Sequence, residues 1–475
     1  MNPDLQNHTN IGNERTVVII GGGAAGVLVA VHILKRATQP AKIIIVEPRA
    51  KLGEGIPYST TYDSHLLNVP AGRMSAFDDD PQHFFRWLRK SGHESVALDS
   101  FVPRTLYGQY LRACLSEARK ESPQVSLDHY QTRAVRIEIV APRAQVILDD
   151  GVRLPADRVV VAIGHQPPGN PMPEGATVDA LLGWTEAAYE GLDPESPVLL
   201  VGSGLTAVDA VLALDQSGHR GPIHVSSRHG KWPLEHQAAS TNISLPILEG
   251  DLTLRGALKT LHALVPKHKE GHRDWRPVVD GLRPQTVGIW TRLPLAERRR
   301  FLRHIRYLWE IHRHKMPREV ASKLAGMRAA GRLMLYAGRV VEAIRTSPAS
   351  IKVGLRLRGS GDVKSLIVSR IINCTGGEGD PAKSNDPLMR NLLADGLAQA
   401  EPLRLGLLTD EAGALISSDG SVSEIVFTLG PLRRGMLWES TSIPEIRVQA
   451  AALSEALLRE PRLLDASESN QPNFK

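Results

Sequence analysis

Two stretches of the chain share one pattern of apolar and small residues. Residues 16–20 form a β-branched apolar run, a glycine cluster follows, and residues 24–36 carry apolar positions at helical spacing. A second apolar run at 198–201 leads into another glycine-rich turn and a helical pattern over 206–214. Each pattern predicts a buried strand, a tight turn and a helix, so we expect two copies of one α/β unit.

The first turn has the spacing of a dinucleotide-binding fingerprint, GxGxxG. The first glycine allows the tight turn, the second lets a pyrophosphate approach the backbone, and the third lets helix and strand pack closely. The residues expected at the pyrophosphate and the helix N-terminus are Gly21, Gly23, Ala24, Ala25 and Gly26. A strand predicted over 42–46 ends in Glu47, 21 residues after Gly26, where a carboxylate would accept hydrogen bonds from an adenosine ribose.

The second turn keeps this spacing but reverses the charge at its end. Gly202, Gly204 and Ala207 form the turn, and a strand over 222–226 leads to Arg228, 21 residues after Ala207. A carboxylate there would repel a 2′-phosphate, whereas a guanidinium can bind one with paired hydrogen bonds. We therefore interpret the first unit as an FAD or NAD site and the second as an NADP(H) site. The alternative is an exposed Arg228 that only solvates a loop.

Each unit is followed by the same order of predicted elements. Residues 133–165 indicate a β-meander and then a buried strand that runs into Gly164. Residues 339–377 repeat this order and run into Gly376. Two non-identical dinucleotide units in one chain make a duplicated α/β architecture the economical interpretation.

The chain is long enough for several globular domains, with 475 residues of which 42% are apolar. Lys and Arg exceed Asp and Glu by 6, and between residues 291 and 318 nine basic residues face two glutamates. The basic excess is therefore concentrated in one window, and by itself it does not require an anionic partner.

The cysteines and the N-terminus indicate a cytoplasmic protein with no transmembrane segment and no metal site. Cys114 and Cys374 are far apart and no CxxC occurs, which excludes a disulfide framework and a zinc knuckle. The first fifteen residues are polar, are expected to be disordered and lack the order of a secretory signal. The apolar run at 16–34 is interrupted by glycines, which favours strand, turn and helix over a membrane anchor.

Several long motifs spread over nearly the whole chain resemble the bacterial FAD/NAD(P)-binding protein family. They are GEGIPYST at 53–60, HLLNVPAGRMSAFDDDPQHFFRWL at 65–88, FVPRTLYGQYL at 101–111, GLTAVD at 204–209 and GPLRRGMLWESTSIPEIRVQA at 430–450. This family is similar to the flavoproteins with two dinucleotide-binding domains, and its relatives of known chemistry are flavin-dependent N-hydroxylating monooxygenases.

The resemblance implies a glutathione-reductase-like fold, in which an NAD(P) domain is inserted into a discontinuous FAD domain. The expected domains are an FAD domain at 14–192 and 377–475 and an NADP domain at 193–376, which carries a helical insertion at about 240–338.

The resemblance also implies roles for single residues. Glu47 would lie on the FAD ribose, and Asn68 beside the flavin, unless Asn68 only closes a turn before Pro70. Gly164 and Gly376 would end the strands at which the chain crosses between domains. The backbone at Gly430 would pass the ribitol. A capping box over 442–445 predicts a helix whose positive end faces the flavin pyrimidine ring.

These cofactors imply hydride transfer from NADPH to FAD, and the next step decides the function. With no cysteine pair, a disulfide reductase is disfavoured. The preferred interpretation is a monooxygenase that uses O2 on a small polar amine or amino acid, which could be anionic. The alternatives are an NADPH-dependent reductase of a quinone or protein acceptor, and a flavin-bearing redox sensor or assembly factor. His165 is the nearest polar candidate at the flavin, with a purely structural histidine as the alternative, and no general base is assigned.

The basic window at 297–318 predicts one amphipathic helix. Its apolar face is expected in a core, and its opposite face is expected to carry Arg299, Arg303, Arg306 and Arg313. Three interpretations of this arginine face stay open: a solvated surface, a contact with an anionic substrate or an NADPH phosphate, and a membrane or nucleic-acid surface. Without exposed aromatic residues between the arginines, a nucleic-acid partner is not expected. Oligomeric state is not predicted.

Overall fold

The computed structural model describes residues 14–237, 245, 252–265 and 274–459. The expected disorder of the first fifteen residues concerns a segment that lies almost wholly outside this range, as does part of the predicted insertion.

The strands are β1 (Arg15–Ile20), β2 (Ala41–Val46), β3 (Val125–Tyr130), β4 (Ala134–Val140), β5 (Arg143–Leu148), β6 (Arg153–Ala156), β7 (Arg158–Val161), β8 (Leu181–Leu182), β9 (Val198–Val201), β10 (Ile223–Ser227), β11 (Leu333–Ser347), β12 (Ser350–Leu357), β13 (Val363–Val368), β14 (Arg370–Asn373), β15 (Ala414–Ile416) and β16 (Val422–Thr428).

The helices are α1 (Ala24–Arg36), α2 (Gly55–Tyr58), α3 (His83–Lys90), α4 (Arg104–Glu121), α5 (Leu205–Gln216), α6 (Leu254–Leu264), α7 (Arg276–Leu282), α8 (Thr286–Arg292), α9 (Leu295–His304), α10 (Arg306–Arg313), α11 (Arg318–Ala329), α12 (Pro387–Ala394), α13 (Arg434–Leu437) and α14 (Ile443–Leu458).

The first sheet is built from both ends of the chain. Among the described residues its strand order is β15-β16-β7-β1-β2-β3, and β16, β7, β1, β2 and β3 run parallel. Helix α1 is buried from Ala25 to Leu34 beneath this sheet, in a core shared with α4 and α14. The antiparallel meander β4-β5-β6 forms a separate small sheet. Strand β1 is apolar and α1 is buried on all sides. This explains why residues 16–20 and 24–36 show no alternation of apolar and polar positions.

The second sheet repeats the plan and fuses it with its own meander. Its strand order in the described ranges is β13-β12-β11-β10-β9-β14-β8. Strand β11 pairs in parallel with β10 up to Ala337 and antiparallel with β12 from Gly338 onwards. One long strand therefore joins the nucleotide-binding half and the meander half of this domain.

Along the chain, the strands of the second sheet lie between the two parts of the first sheet. Strand β8 at Leu181–Leu182 pairs with β14 of the second sheet, although it precedes the expected boundary at residue 193. The chain thus crosses to the second domain between β7 and β8.

The helices α6 to α11 form the connection between the parallel strands β10 and β11. Helix α11 packs on the second sheet through Val320, Leu324 and Met327. The preceding helices instead contact the C-terminal part of the first domain, where Trp290 stacks on Trp438 with ring centroids 4.9 Å apart. By sequence, these helices belong to the second domain, but by packing they cover the junction of both domains. Helices α6 to α10 and the residues that connect them are called the roof below.

The prediction of a single amphipathic helix over 297–318 is wrong, because the helix is broken at Ile305 into α9 and α10, and α10 already ends at Arg313. The break lets Phe301 pack on Trp438 while Trp309 Nε1 donates to Glu439 Oε1 at 3.1 Å. Both contacts are tertiary, so helical periodicity could not indicate the break.

The prediction that the four arginines share one face is also wrong. Arg299 is exposed, Arg303 and Arg306 line a cleft between the domains, and Arg313 is buried. Arg313 forms ion pairs with Glu439 at 3.0 Å and with Glu445 at 3.5 Å. The four arginines therefore lie in three different environments. None of the helices in the described ranges combines the length and the apolar composition that crossing a bilayer requires.

The close packing of α1 on β1 predicts the effect of a methyl group at Gly26. A Cβ at Gly26 would lie 1.9 Å from the carbonyl oxygen of Gly21, which is backbone and cannot rotate away. We expect Gly26→Ala to cost about 1–3 kcal/mol and to lower the Tm measurably in a thermal melt.

Gly326→Ala is the matched control, because Gly326 is also helical and has no atom within 4 Å of its Cβ position in the described structure. This control should keep or raise the Tm, since alanine favours a helix by up to about 1 kcal/mol. An unchanged Tm for Gly26→Ala would contradict the packing argument.

Candidate functional site

A cleft of about 1410 Å³ lies at the carboxyl ends of the parallel strands of both sheets. It is larger than the roughly 300–1,000 Å³ of a site for one small ligand, and it includes both glycine turns. The strand ends that line it belong to β1, β2, β7, β9, β10 and β14. In open α/β sheets, this edge is where ligands bind.

The first glycine turn is forced by the neighbouring strand end. Gly21 has φ +106°, its N–H donates to Val46 O at 2.9 Å, and a Cβ there would lie 2.4 Å from Ala162 O. The Cβ position of Gly23 instead has Gly55 Cα, at 3.5 Å, as its nearest atom, so Gly23 faces the cleft without crowding. The first turn of α1 carries no acidic residue and no side-chain cap, which leaves its N–H groups available to an anion.

The second turn reproduces this geometry. Gly202 has φ +112°, its N–H donates to Ser226 O at 2.8 Å, and a Cβ there would lie 2.2 Å from Cys374 O. The Cβ position of Gly204 has no atom within 4 Å in the described structure, and α5 starts without an acidic residue or a side-chain cap. Ala207 is fully buried and lies outside the cleft lining, as does Gly26. Both therefore pack the helix against its strand.

Glu47 directly follows β2 and lines the cleft while being only 6% exposed. Its Oε2 accepts from Gly22 N at 2.9 Å, and its Oε1 accepts from Arg49 N at 3.1 Å. The carboxylate is thus fixed against the glycine turn, and each oxygen retains a lone pair that can accept a further hydrogen bond.

Arg228 directly follows β10, is exposed and lines the cleft among other basic residues. Lys231 and Arg339 line the same region, and Arg358 donates to the His229 ring. Burial, and then the charges of Arg358 and its basic neighbours, lower the pKa of His229. This end of the cleft is therefore electropositive.

The other predicted backbone positions are found near the cleft. Gly164 and Gly376 line it with φ of +69° and +86°. They follow Ala162 and Cys374, the two residues whose carbonyls contact the glycine turns. Gly430 is buried with φ +73°, its N–H donates to Gln449 at 3.0 Å, and the next residue, Pro431, lines the cleft.

Helix α14 begins at Ile443 with its first turn at the cleft, where Thr441, Ile443 and Ile446 are lining residues. The predicted capping box is wrong, since the Ser442 side chain accepts no backbone N–H. The Ser442 hydroxyl donates to the Glu445 carboxylate, which also pairs with Arg283 at 2.8 Å. Glu445 thus pairs with Arg283 of the roof, and no side chain caps the N-terminus of α14.

The structure places Asn68 outside the lining of the cleft. It is half-buried, and its backbone carbonyl accepts a hydrogen bond from His236 Nε2 at 3.0 Å. Asn68 therefore joins the first domain to the segment that leads into the roof, and the expected contact with the flavin has no support from its position.

An ion pair joins the two domains inside the cleft. Arg104, at the start of α4, donates from Nη1 and Nη2 to the two oxygens of Asp209 on α5, at 2.6 and 3.1 Å. The side chains are 16% and 17% exposed. His65 is bonded to the Asp209 carbonyl at 2.9 Å, and Arg104 Nε donates to Leu66 O at 3.0 Å. This bidentate contact fixes the helix of the second glycine turn to the first domain.

A second charged group was not predicted as a site. Glu310 on α10 accepts from Arg434 Nη2 at 2.6 Å and from Arg306 Nε at 3.5 Å, and lies 3.2 Å from His314 Nε2. Burial raises the pKa of Glu310, but His314 and the two guanidiniums outweigh this and hold the pKa well below its usual range. The helical spacing of residues 306, 310 and 314 was visible in the sequence, but Arg434 reaches them only through the fold.

His165, which follows Gly164, is close to this group. His165 is exposed at the cleft surface, where desolvation by the surrounding protein and then the charge of Arg434 lower its pKa to about 4, so its imidazole is neutral at pH 7. Its side chain lines the cleft, and neither ring nitrogen has a hydrogen-bond partner within the described ranges. It can therefore donate or accept a hydrogen bond with a ligand.

The described part of the chain offers neither a metal site nor a reactive thiol. There, no group of three or more His, Cys, Asp or Glu could hold a metal ion. Cys114 and Cys374 are both buried, and burial raises the pKa of Cys114 to about 12 and that of Cys374 well above its usual range. Neither thiol is poised to react.

Comparisons with known proteins agree with this architecture. A family model described as FAD-NAD(P)-binding matches residues 18–166. A reduced form of ornithine hydroxylase from Pseudomonas aeruginosa has a TM-score of 0.66 at 16% identity, covering 94% of this chain and 99% of that chain. An ornithine N-hydroxylase from Kutzneria sp. 744, in complex with reduced FAD, NADP+ and L-ornithine, has a TM-score of 0.65 at 14% identity, with coverage of 94% and 99%.

A match by sequence covers a smaller part. A 3-dehydro-bile acid Δ(4,6)-reductase from Clostridium scindens is 27% identical over 157 residues, which is 31% of this chain and 38% of that protein. The chain thus matches well under half the length of this curated relative. Together the comparisons establish the fold of flavoproteins with two dinucleotide-binding domains, as the sequence motifs predicted.

The ion pair between the domains predicts a stability difference between two carboxyl-to-amide changes. Asp209→Asn keeps the shape of the side chain but leaves Arg104 without its counter-charge in a largely buried position. We expect a loss of about 1–3 kcal/mol, measured as a lower Tm.

Glu195→Gln is the control, because Glu195 pairs with Arg220 in the same domain while both side chains are more than 60% exposed. It should change stability by less than about 0.5 kcal/mol. Equal effects of the two changes would refute a special role for the contact between the domains.

Proposed function

We propose that the protein is an FAD-dependent NADPH oxidoreductase that uses O2 to hydroxylate a small polar amine or amino acid. The observation that carries the proposal is the pair of equivalent glycine turns facing one cleft, with a carboxylate at the end of the first unit and a guanidinium at the end of the second. This difference in charge assigns different dinucleotides to the two turns.

The first turn fits FAD. Gly23 leaves room for a pyrophosphate, and the uncapped start of α1 offers N–H groups to its charge. The buried carboxylate of Glu47 would accept hydrogen bonds from the adenosine ribose. Gly430 and the uncapped start of α14 would lie toward the ribitol and the ring, where a positive helix end favours a reduced flavin.

The second turn fits NADPH. Gly204 leaves the space that a pyrophosphate needs, and Arg228, which follows β10, would contact the 2′-group of the ribose. Its basic neighbours Lys231 and Arg339 add to the attraction for a 2′-phosphate.

When bound, NADPH supplies a hydride, and FAD accepts it and can react with O2. The chain itself orients the two nucleotide sites. The Arg104–Asp209 pair holds α5 against the first domain, and the stacked Trp290 and Trp438 hold the roof over the junction. Fixed orientation of the reacting groups, together with a roof that limits water, is what such a transfer requires from a protein.

A thiol relay does not compete with this proposal. The two cysteines are buried, lie in different domains and have raised pKa values. A protein with unreactive thiols and no disulfide fits a reducing cytoplasm.

The hydroxylation step rests on the likeness in fold to the two ornithine hydroxylases, which extends over 94% of this chain. A second candidate is an NADPH-dependent reductase. The match to the bile acid reductase favours it, although that match covers 31% of this chain.

The decisive experiment measures NADPH oxidation, O2 consumption and product mass with the FAD-loaded protein and a panel of amines and amino acids. A hydroxylated product formed together with NADPH and O2 use supports the monooxygenase. NADPH oxidation that depends on a quinone or another acceptor without O2 supports the reductase. Flavin that NADPH reduces only once, without turnover, would overturn both and support a redox sensor.

The assignment of Arg228 predicts a selective loss. Arg228→Ala should weaken NADPH binding by about 10- to 100-fold, the loss expected for a charge-assisted contact, and should leave NADH within about threefold. The measurement is the concentration dependence of flavin reduction by each cofactor in a stopped-flow instrument. Similar losses for the two cofactors would contradict the phosphate assignment, and Arg220→Ala, exposed on the same domain, serves as the control.

A further inference from the structure

The group around Glu310 is built by two separate parts of the chain. Arg306 and His314 lie on the roof helix α10 and the residue after it, whereas Arg434 lies at the start of α13 in the first domain. All of these side chains line the cleft, and the side-chain exposures are 19% for Arg434, 37% for Arg306 and 26% for His314.

The group carries more positive than negative charge. Glu310 is ionised, because its pKa is held well below the usual range, and guanidiniums stay charged at all ordinary pH values. Two arginines therefore face one carboxylate. Burial and then the charge of Arg434 lower the pKa of Arg306, which indicates that the two guanidiniums repel each other in this environment.

Of the other acidic side chains that line the cleft, Glu186 is exposed and three have partners elsewhere. Asp209 is paired with Arg104, Glu47 is bonded to the first glycine turn, and Asp386 accepts from Met389 N at the start of α12. Because these three carboxylates have other partners, they do not neutralise the excess positive charge around Glu310. In a partly enclosed cleft, such an excess of positive charge favours the binding of an anion.

Arg434 is held in place by a strained residue. Trp438 has φ +61°, which a bulky residue rarely adopts, and its ring lies 4.8 Å from the Arg434 guanidinium. The same ring stacks on Trp290, and the Nε of Arg434 is buried without a hydrogen-bond partner in the described part of the chain. Backbone strain that fixes one arginine beside a cleft is typical of a ligand-binding position.

We propose that Arg306, His314 and Arg434 form a binding site for a carboxylate of the substrate, with Glu310 as the internal counter-charge that holds the three basic groups in position. The inference rests on the proposed function and names its substrate class, an acid such as an amino acid rather than a simple diamine. The neutral ring of His165 adds a hydrogen-bonding group beside the site.

The same cations could instead bind a phosphate of NADPH, so the experiment keeps the nucleotide site occupied. The FAD-loaded protein is saturated with NADP+, and binding is measured by isothermal titration calorimetry for two matched pairs: glutarate with glutaramide, and L-lysine with cadaverine. Within each pair, the members differ in the carboxylate charge. We expect the acid to bind at least about tenfold more tightly than its uncharged or decarboxylated partner.

Two variants locate the site. Arg434→Met and Arg306→Met should each reduce this preference to less than about threefold while NADPH affinity changes by less than about threefold. Arg299→Met is the control, since Arg299 lies on the neighbouring helix and is exposed outside the cleft. Arg306 is the more exposed of the two arginines, so its variant tests the site even when Arg434→Met fails to fold.

Three binding results would overturn the site: no preference for the acids in the unchanged protein, a preference that persists in both variants, or a loss of NADPH affinity that matches the loss for the acids. The last would assign the arginines to the nucleotide. Amine-dependent NADPH oxidation with lysine and cadaverine is measured separately. Equal oxidation of both would retain the proposed function and reject the site, whereas acid binding without any oxidation would retain the site and reject the monooxygenase.

Discussion

The architecture depends on two places where a strand end passes so close to a turn that no side chain fits between them. Gly21 contacts the carbonyl of Ala162, and Gly202 contacts the carbonyl of Cys374. Each contact ties the first strand of a unit to the strand from which the chain leaves that unit. The turns and the crossover segments therefore start at the same edge, and both glycine turns open into one cleft.

The roof and the ion pair fix how the two units face each other. The helices between β10 and β11 are part of the second domain in sequence, yet Trp290 packs on Trp438 and Arg313 pairs with Glu439 of the first domain. In a separate contact, Arg104 of the first domain holds α5 through Asp209. Contacts at two separate places oppose a rotation of one domain against the other, which suits a transfer that depends on orientation.

Each part of the cleft carries side chains whose charge suits the ligand group expected there. A carboxylate follows β2 of the first unit, a guanidinium follows β10 of the second unit, and an excess of guanidinium surrounds Glu310 under the roof. In a partly enclosed cleft such charges act more strongly than in water. His165 is neutral at pH 7 because desolvation, and then the nearby charge of Arg434, lower its pKa to about 4.

The sequence determined the two α/β units and the glycine turns, because their signals are local: apolar runs, spacing, and Glu47 or Arg228 at a fixed distance. It could not determine the break at Ile305, the separation of the four arginines or the displacement of Glu445 from its capping position. Nor could it join Arg434 to Glu310, which lie 124 residues apart. These features depend on contacts between distant segments, and only the packing of the roof on the first domain brings those segments together.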